Sequence, residues 1–358
     1  MLSFFLSTIA IHAQILKDTA SINLIRKGID YVYDFRFDEA REVYRKLNQT
    51  YPGNPVTHLF SGMITYWENY PLLPTSAAHD SYEEDLRLCI DLSEKKNDPD
   101  NSTEHLLSNL CARGMLLMFY ADNDLSMEVF PLATSTYHYI RQSFNYTSFY
   151  PDFFFFTGLY NYYREAYPEA YPIYKALAFL FPKGDKAKGL KELKIAADSS
   201  IFLRAESYYF LSIIFLNFGN NFQQASAYSK SLHELYPHNI EYLAEYIKNL
   251  LLIKQYDEAE KIIIPSGSEI TNQYYQAELS IFNGILMEKK YHDYDQASKC
   301  YLKGARDISI FGDYGNEFAA YAYFGLSRIS DAKGDKQYKK IYRKLAVRLA
   351  ESKKNDFD

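Results

Sequence analysis

Ile22, Ile25, Ile29 and Tyr33 follow one another at intervals of three and four, the spacing of one face of an α-helix. The same alternation of apolar and polar positions recurs along most of the chain and predicts antiparallel helix pairs. Thr57 to Trp67 pairs with Tyr82 to Lys95 across an enlarged turn containing Pro71 and Pro74. Glu104 to Ala121 pairs with Leu125 to Phe144, Asp152 to Glu165 with the segment KAKGLKELKIAADSS, and Asn316 to Asp331 with Lys336 to Ala350. The expected fold is all-α, an α-α superhelix running from residue 14 to 358 as one domain.

Four short segments repeat within this pattern: Phe37-Asp-Glu-Ala40, Phe222-Gln-Gln-Ala225, Tyr256-Asp-Glu-Ala259 and Tyr294-Asp-Gln-Ala297. The step from Phe222 to Tyr256 is 34 residues. Leu24, Gly28, Tyr31, Ala40, Tyr44 and Pro52 in the first copy, and Tyr209, Leu216, Ala225 and Pro237 in a second, hold the positions that the tetratricopeptide repeat prefers. The chain therefore resembles a tetratricopeptide repeat protein, which implies a solenoid of helical hairpins.

The physics stands beside the resemblance. Gly28 and Ala40 remove bulk where two helices must approach, and Tyr44, one turn after Ala40, fills the adjoining space. Pro52 and Pro237 stop the second helix, and Asn54 and Asn239 follow as caps for the next unit. The acids after Phe37 and Tyr256 sit in a first helical turn, where the dipole favours them; repetition at one structural place marks them as helix-stabilising rather than catalytic.

Gly158 and Gly189 are further apart than Gly28 and Ala40, and the surplus is an insertion over residues 166–184. Its Tyr-Pro and Phe-Pro pairs bracket a short apolar helix expected at Ile173 to Phe181. The stretch from Gly158 to Ala197, with G-L-Y-N-Y-Y, this insertion and then F-P-K-G-D-K-x-x-G-L-x-x-L, resembles the bacterial relatives of the eukaryotic tetratricopeptide family that includes the yeast inclusion-body clearance protein. That likeness implies a non-enzymatic scaffold and supplies no catalytic residues.

The first residues change the cellular picture. An apolar run from Leu2 to Ile11, followed by Ala13, reads as a signal peptide occupying residues 1–13, so the expectation is an exported protein, periplasmic or associated with the outer membrane. No Cys follows that cut to carry a lipid anchor. No other segment has the roughly 18 consecutive apolar residues that a spanning helix needs, so no transmembrane span is expected, while peripheral attachment to the envelope stays open. Lys336, Lys339, Lys340, Arg343, Lys344 and Arg348 make the last helix, 336–350, a polar cap for the array. A net charge of −6 speaks against nucleic acid as a partner.

Motifs for chemistry fail on inspection. FPKGDKAKGLK spaces Gly184 and Gly189 as a phosphate loop does, but Leu190-Lys191 stands where Lys-Ser/Thr is required. His233 and His238 are five apart with Pro237 between them, which is not the one-turn spacing of a helical zinc pair. Cys89, Cys111 and Cys300 are too scattered for a zinc site. No catalytic residue, cofactor or metal is expected.

The remaining candidates are surfaces. In a superhelix of this kind the first helices line the concave side, which places Ile25, Ile29, Tyr33, Phe210, Ile214, Asn217, Phe218 and Lys248 in a groove suited to an apolar segment of a protein partner. Tyr163, Tyr167, Tyr171, Lys183 and Lys186 offer a second surface around the insertion. The leading expectation is a non-enzymatic scaffold mediating protein–protein interaction in the envelope. A glycan- or nutrient-binding protein using aromatic stacking is the alternative, and an enzyme with an unrecognised site the third reading.

Overall fold

The computed structural model describes residues 15–95, 102–172, 175, 179, 181–350 and 357. The expected signal peptide lies outside the described residues, and so does most of the expected helix Ile173 to Phe181. Among the described residues there is no strand. A 3-10 turn at Ile15–Lys17 precedes α1 (Thr19–Tyr33), α2 (Phe37–Thr50), α3 (Pro55–Glu68), α4 (His79–Glu94), α5 (Ser102–Asp122), α6 (Ser126–Ser143), α7 (Phe153–Ala170) and α8 (Lys186–Ser199). Then follow α9 (Arg204–Asn217), α10 (Phe222–Leu235), α11 (Ile240–Leu252), α12 (Tyr256–Glu269), α13 (Gln273–Lys289) and α14 (Tyr294–Ile308). A 3-10 segment at Ser309–Gly315 leads into α15 (Asn316–Ala332) and α16 (Lys336–Leu349). Consecutive helices pack as pairs, an arrangement consistent with an α-solenoid.

The small residues sit where the hairpins cross. Ala40 and Ala225 are fully buried. A Cβ on Gly28 would fall 2.7 Å from Val43 of α2 and 2.6 Å from Phe60 of α3, so the position admits no side chain without displacing both. At the next aromatic-rich pair, a Cβ on Gly189 of α8 would stand 2.7 Å from the carbonyl oxygen of Gly158 on α7, and there the two backbones touch.

Helix ends follow their chemistry. α2 stops at Tyr51, ahead of Pro52, and Asn54 caps α3 by accepting the Val56 N–H at 2.9 Å with Pro55 in the first turn. Asn239 does the same for α11, accepting from Glu241 and Tyr242. Asp38 and Glu39 occupy the first turn of α2 and pair with Arg41 and Arg36 in solvent. On α16 only Ala346 is buried, and Tyr338, Ile341 and Val347 face outward.

The array also bends back on itself. The largest core cluster joins residues of α1 to α5 with residues of α11 to α15, while a second gathers around α7, α8 and α9. Tyr236, after α10, donates its hydroxyl hydrogen bond to Asp30 of α1 at 3.0 Å. Asn239 donates to the carbonyl of Tyr33 at 3.0 Å, and Asn272 to that of Tyr70 at 2.8 Å. These bonds tie the first two hairpins to the second half of the chain and enclose the side that the first helices share.

Candidate functional site

The enclosed side holds a cavity of about 270 Å³ with almost wholly apolar walls. α1 supplies Ile25 and Ile29, α3 Leu59 and Met63, α5 Leu107 and Met118, α7 Phe155 and Phe156, and α9 Phe210. The amphipathic period brings these residues inward.

Two carboxyls interrupt that wall: Glu104, which accepts from the Leu16 N–H at 3.1 Å and from the Asn54 amide at 2.8 Å, and Glu206. Glu206, in the first turn of α9, accepts a hydrogen bond from the Tyr33 hydroxyl through Oε1, while its buried Oε2 has no partner among the described residues. Burial pushes its pKa up to about 7, against the lowering effect of Tyr33. The carboxyl is thus poised to give or take one hydrogen bond at the edge of a hydrocarbon surface.

Beyond Glu206 the cavity narrows to about 60 Å³ between Tyr33, Trp67, Tyr209 and Tyr242, with Glu206 and Glu241 both in its wall. Tyr33 meets Trp67 edge-on at 5.6 Å between ring centroids. Glu241 then opens onto a third space of about 160 Å³, lined by Glu245, Glu278 and Glu317 and by Tyr70, Tyr274 and Tyr314. Apolar chamber, aromatic neck and acidic chamber lie in sequence along the interior and share wall residues.

A buried cation pairs with two of the glutamates of the acidic chamber. Lys248 of α11 is 3% exposed and pairs with Glu245 and, at 3.6 Å, with Glu317. Burial works against its charge, but Glu245 and Glu317 outweigh that and raise its pKa. Glu278 rises well above the carboxylate range through burial and then through Glu245, with Lys248 too weak an opponent. Glu241 is pushed up to about 8 by burial first, despite a hydrogen bond from Tyr209. Among the described residues, no three His, Cys, Asp or Glu side chains are placed to hold one metal ion.

The residues expected in a groove are distributed over this interior. Ile25, Ile29 and Phe210 line the apolar chamber, and Tyr33 lines the neck. Lys248 lies beneath the acidic chamber, and Ile214 is fully buried in the core around α9. Asn217 and Phe218 are partly buried at the end of α9, where Phe218 meets Tyr163 at 5.4 Å and Tyr167 at 6.4 Å. Tyr167 and Tyr171 lie with ring centroids 4.8 Å apart and planes tilted by 44°, so the aromatic residues beside the insertion contact one another as well as solvent. Lys186 pairs with Glu169 at 2.5 Å and Lys183 is exposed.

The acids were the missed signal. Glu206, Glu241, Glu278 and Glu317 recur at roughly one repeat each, always on the first helix of a pair. Comparison of the chain with protein-family models, with curated proteins and with solved structures gives no match.

Proposed function

We propose that the chain is a non-enzymatic, exported helical-repeat protein of tetratricopeptide type that carries a single-chain amphiphile in its apolar chamber. The observation that carries the reading is the 270 Å³ chamber itself, almost wholly apolar in its walls and provided with an unpartnered carboxyl oxygen on Glu206. Its size sits near the lower limit of about 300 Å³ for small-molecule pockets, and a few polar groups in an apolar wall are what such pockets use to orient a ligand. An alkyl chain fills the chamber, and a hydroxyl or acid at its end bonds Glu206. Export rests on the apolar run Leu2 to Ile11, and the repeat type on the residues from Leu24 to Pro52 and from Tyr209 to Pro237.

A fluorescent fatty acid tests this. One saturable site is expected, and Gly114→Leu should abolish it, because Gly114 lines the chamber with open space where its Cβ would be. Absence of binding, or undiminished binding by a folded Gly114→Leu protein, would sink the reading.

Protein interaction is the second reading, favoured by a different observation. With the first helices turned inward, a partner docks outside, and Met127 and Phe130 on α6 with Phe149 beyond it are large apolar residues in solvent, Met127 85% and Phe149 74% exposed. Capture of an envelope protein that is lost with Met127→Glu/Phe130→Glu is the expected result; equal capture by that variant counts against it.

A further inference from the structure

We propose that α16 docks the protein onto an anionic lipid bilayer through the outward stripe Lys336, Lys340, Lys344 and Arg348, with Ile341 and Val347 set into the surface. This goes beyond the amphiphile reading and does not depend on what fills the apolar chamber.

The charge of α16 is one-sided. Lys336, Lys339, Lys340, Arg343, Lys344 and Arg348 fall within it and no Asp or Glu does, in a chain whose net charge is −6. Exposed cations on other helices meet an acid one turn away, as Arg41 meets Asp38 and Arg87 meets Glu83. On α16 that provision is missing. Lys339 is engaged by Asp331 of α15 at 2.7 Å, and Arg343 lies 4.9 Å over the ring of Phe324. Lys336, Lys340, Lys344 and Arg348 are exposed and make no ion pair or hydrogen bond with any described residue.

Their spacing makes a surface of them. Each is four positions from the next, so successive members stand one turn on and rotate by about 40°, and the stripe covers roughly 18 Å of helix and a third of its circumference. Ile341 and Val347 each lie three positions from Lys344 and share that face, 44% and 58% exposed. The other side of the helix holds it in place. Ala346 is buried, Tyr342 stacks on Tyr323 of α15 with centroids 6.2 Å apart, and Ser327 of α15 donates to the Lys339 carbonyl at 3.1 Å. The cations are therefore presented together, away from the array.

Charge complementarity calls for an anionic surface, and the two aliphatic side chains decide which kind. On a bilayer the basic heads reach headgroup phosphates while Ile341, Val347 and the lysine stems enter the apolar boundary just beneath. A nucleic-acid backbone or an acidic polypeptide offers those aliphatic groups nothing. Each basic residue close to an anionic bilayer is worth about fivefold in binding, so four acting together give a factor on the order of several hundred.

Flotation of the full chain with lipid vesicles tests this. Binding is expected to phosphatidylcholine vesicles containing phosphatidylglycerol, not to phosphatidylcholine alone, and it should be lost as salt rises from about 0.1 M toward 1 M and the screening length shrinks. Lys340→Gln/Lys344→Gln should weaken it by about 25-fold, two steps of fivefold, whereas Lys261→Gln/Lys299→Gln, exposed lysines of α12 and α14, should leave it unchanged. Ile341→Ser/Val347→Ser should weaken it about tenfold with the same salt dependence. Gly114→Leu should float as the parent does; its loss would place the lipid in the chamber and overturn the proposal. Equal binding to neutral and anionic vesicles, undiminished binding by Lys340→Gln/Lys344→Gln, or capture by duplex DNA or poly-glutamate in place of vesicles also overturns it. So does binding that appears only in Glu351→Gln/Asp356→Asn, since those acids follow α16 in sequence and would then be what the stripe answers.

Discussion

Gly325 leaves its side-chain position to the ring of Tyr301: a Cβ there would lie 2.3 Å from the ring carbons. Tyr301, fully buried on α14, reaches between α13 and α15 and donates to Glu288 at 2.7 Å, which in turn holds Arg328 at 2.7 Å. An alanine usually stabilises a helix interior over glycine by roughly 1 kcal/mol. Here overpacking reverses the sign, and Gly325→Ala should cost about 1–3 kcal/mol in urea unfolding. A stabilised variant would show that the hairpins do not interlock at this ring.

Gly114 and Gly189 supply the matched contrast. Both lie inside helices, but nothing stands within 4 Å of a Cβ on Gly114, whereas one on Gly189 meets the backbone of α7. Gly114→Ala should raise stability by about 0.5–1 kcal/mol and Gly189→Ala should lower it. Thermal melts of the two variants in parallel check the opposition; shifts of the same sign would contradict it.

Lys248→Met removes the cation from a chamber of carboxylates. Breaking a buried pair from one side leaves uncompensated charge, so a loss of about 3–5 kcal/mol is expected near pH 7. Urea unfolding checks it, and a loss under about 1 kcal/mol would mean that the carboxylates do not depend on the lysine.

Stability should fall on the alkaline side through Glu206 and Glu241. Their folded pKa values, about 7 and about 8, lie above the ordinary value of 4.5, so the native protein holds protons that the unfolded chain has released. Their contribution is complete below pH 4.5 and is lost as pH rises through 7 and 8, on the order of 1 kcal/mol per pH unit in that window. Glu206→Gln should flatten the slope of urea midpoint against pH. An unchanged slope in that variant would remove Glu206 from the account. Asp257 and Glu260, whose pKa values are lowered chiefly by hydrogen bonds from Lys290, act oppositely and only in acid.

The hairpins were legible because their rules are local. Proline after Tyr51, asparagine at 54 and 239, and glycine or alanine at each crossing act within one repeat, and the observed helix bounds depart little from those the sequence predicts. The closure of the array was not legible. It depends on Tyr236, Asn239 and Asn272 meeting Asp30, Tyr33 and Tyr70, pairs that no spacing rule connects. For that reason Ile25, Tyr33 and Lys248, placed by period on a concave face, sit in an enclosed interior. The acids at 206, 241, 278 and 317 were visible as letters, but their convergence is a product of the same closure.

Bonds from Asn239 to Tyr33 and from Tyr236 to Asp30 bridge separations of 206 positions each. An open row of hairpins loses order from its ends, each unit depending only on its neighbours. Joining distant segments abolishes that independence. The first hairpin becomes a keystone, folding waits on a long loop closure, and melting gathers into one concerted transition.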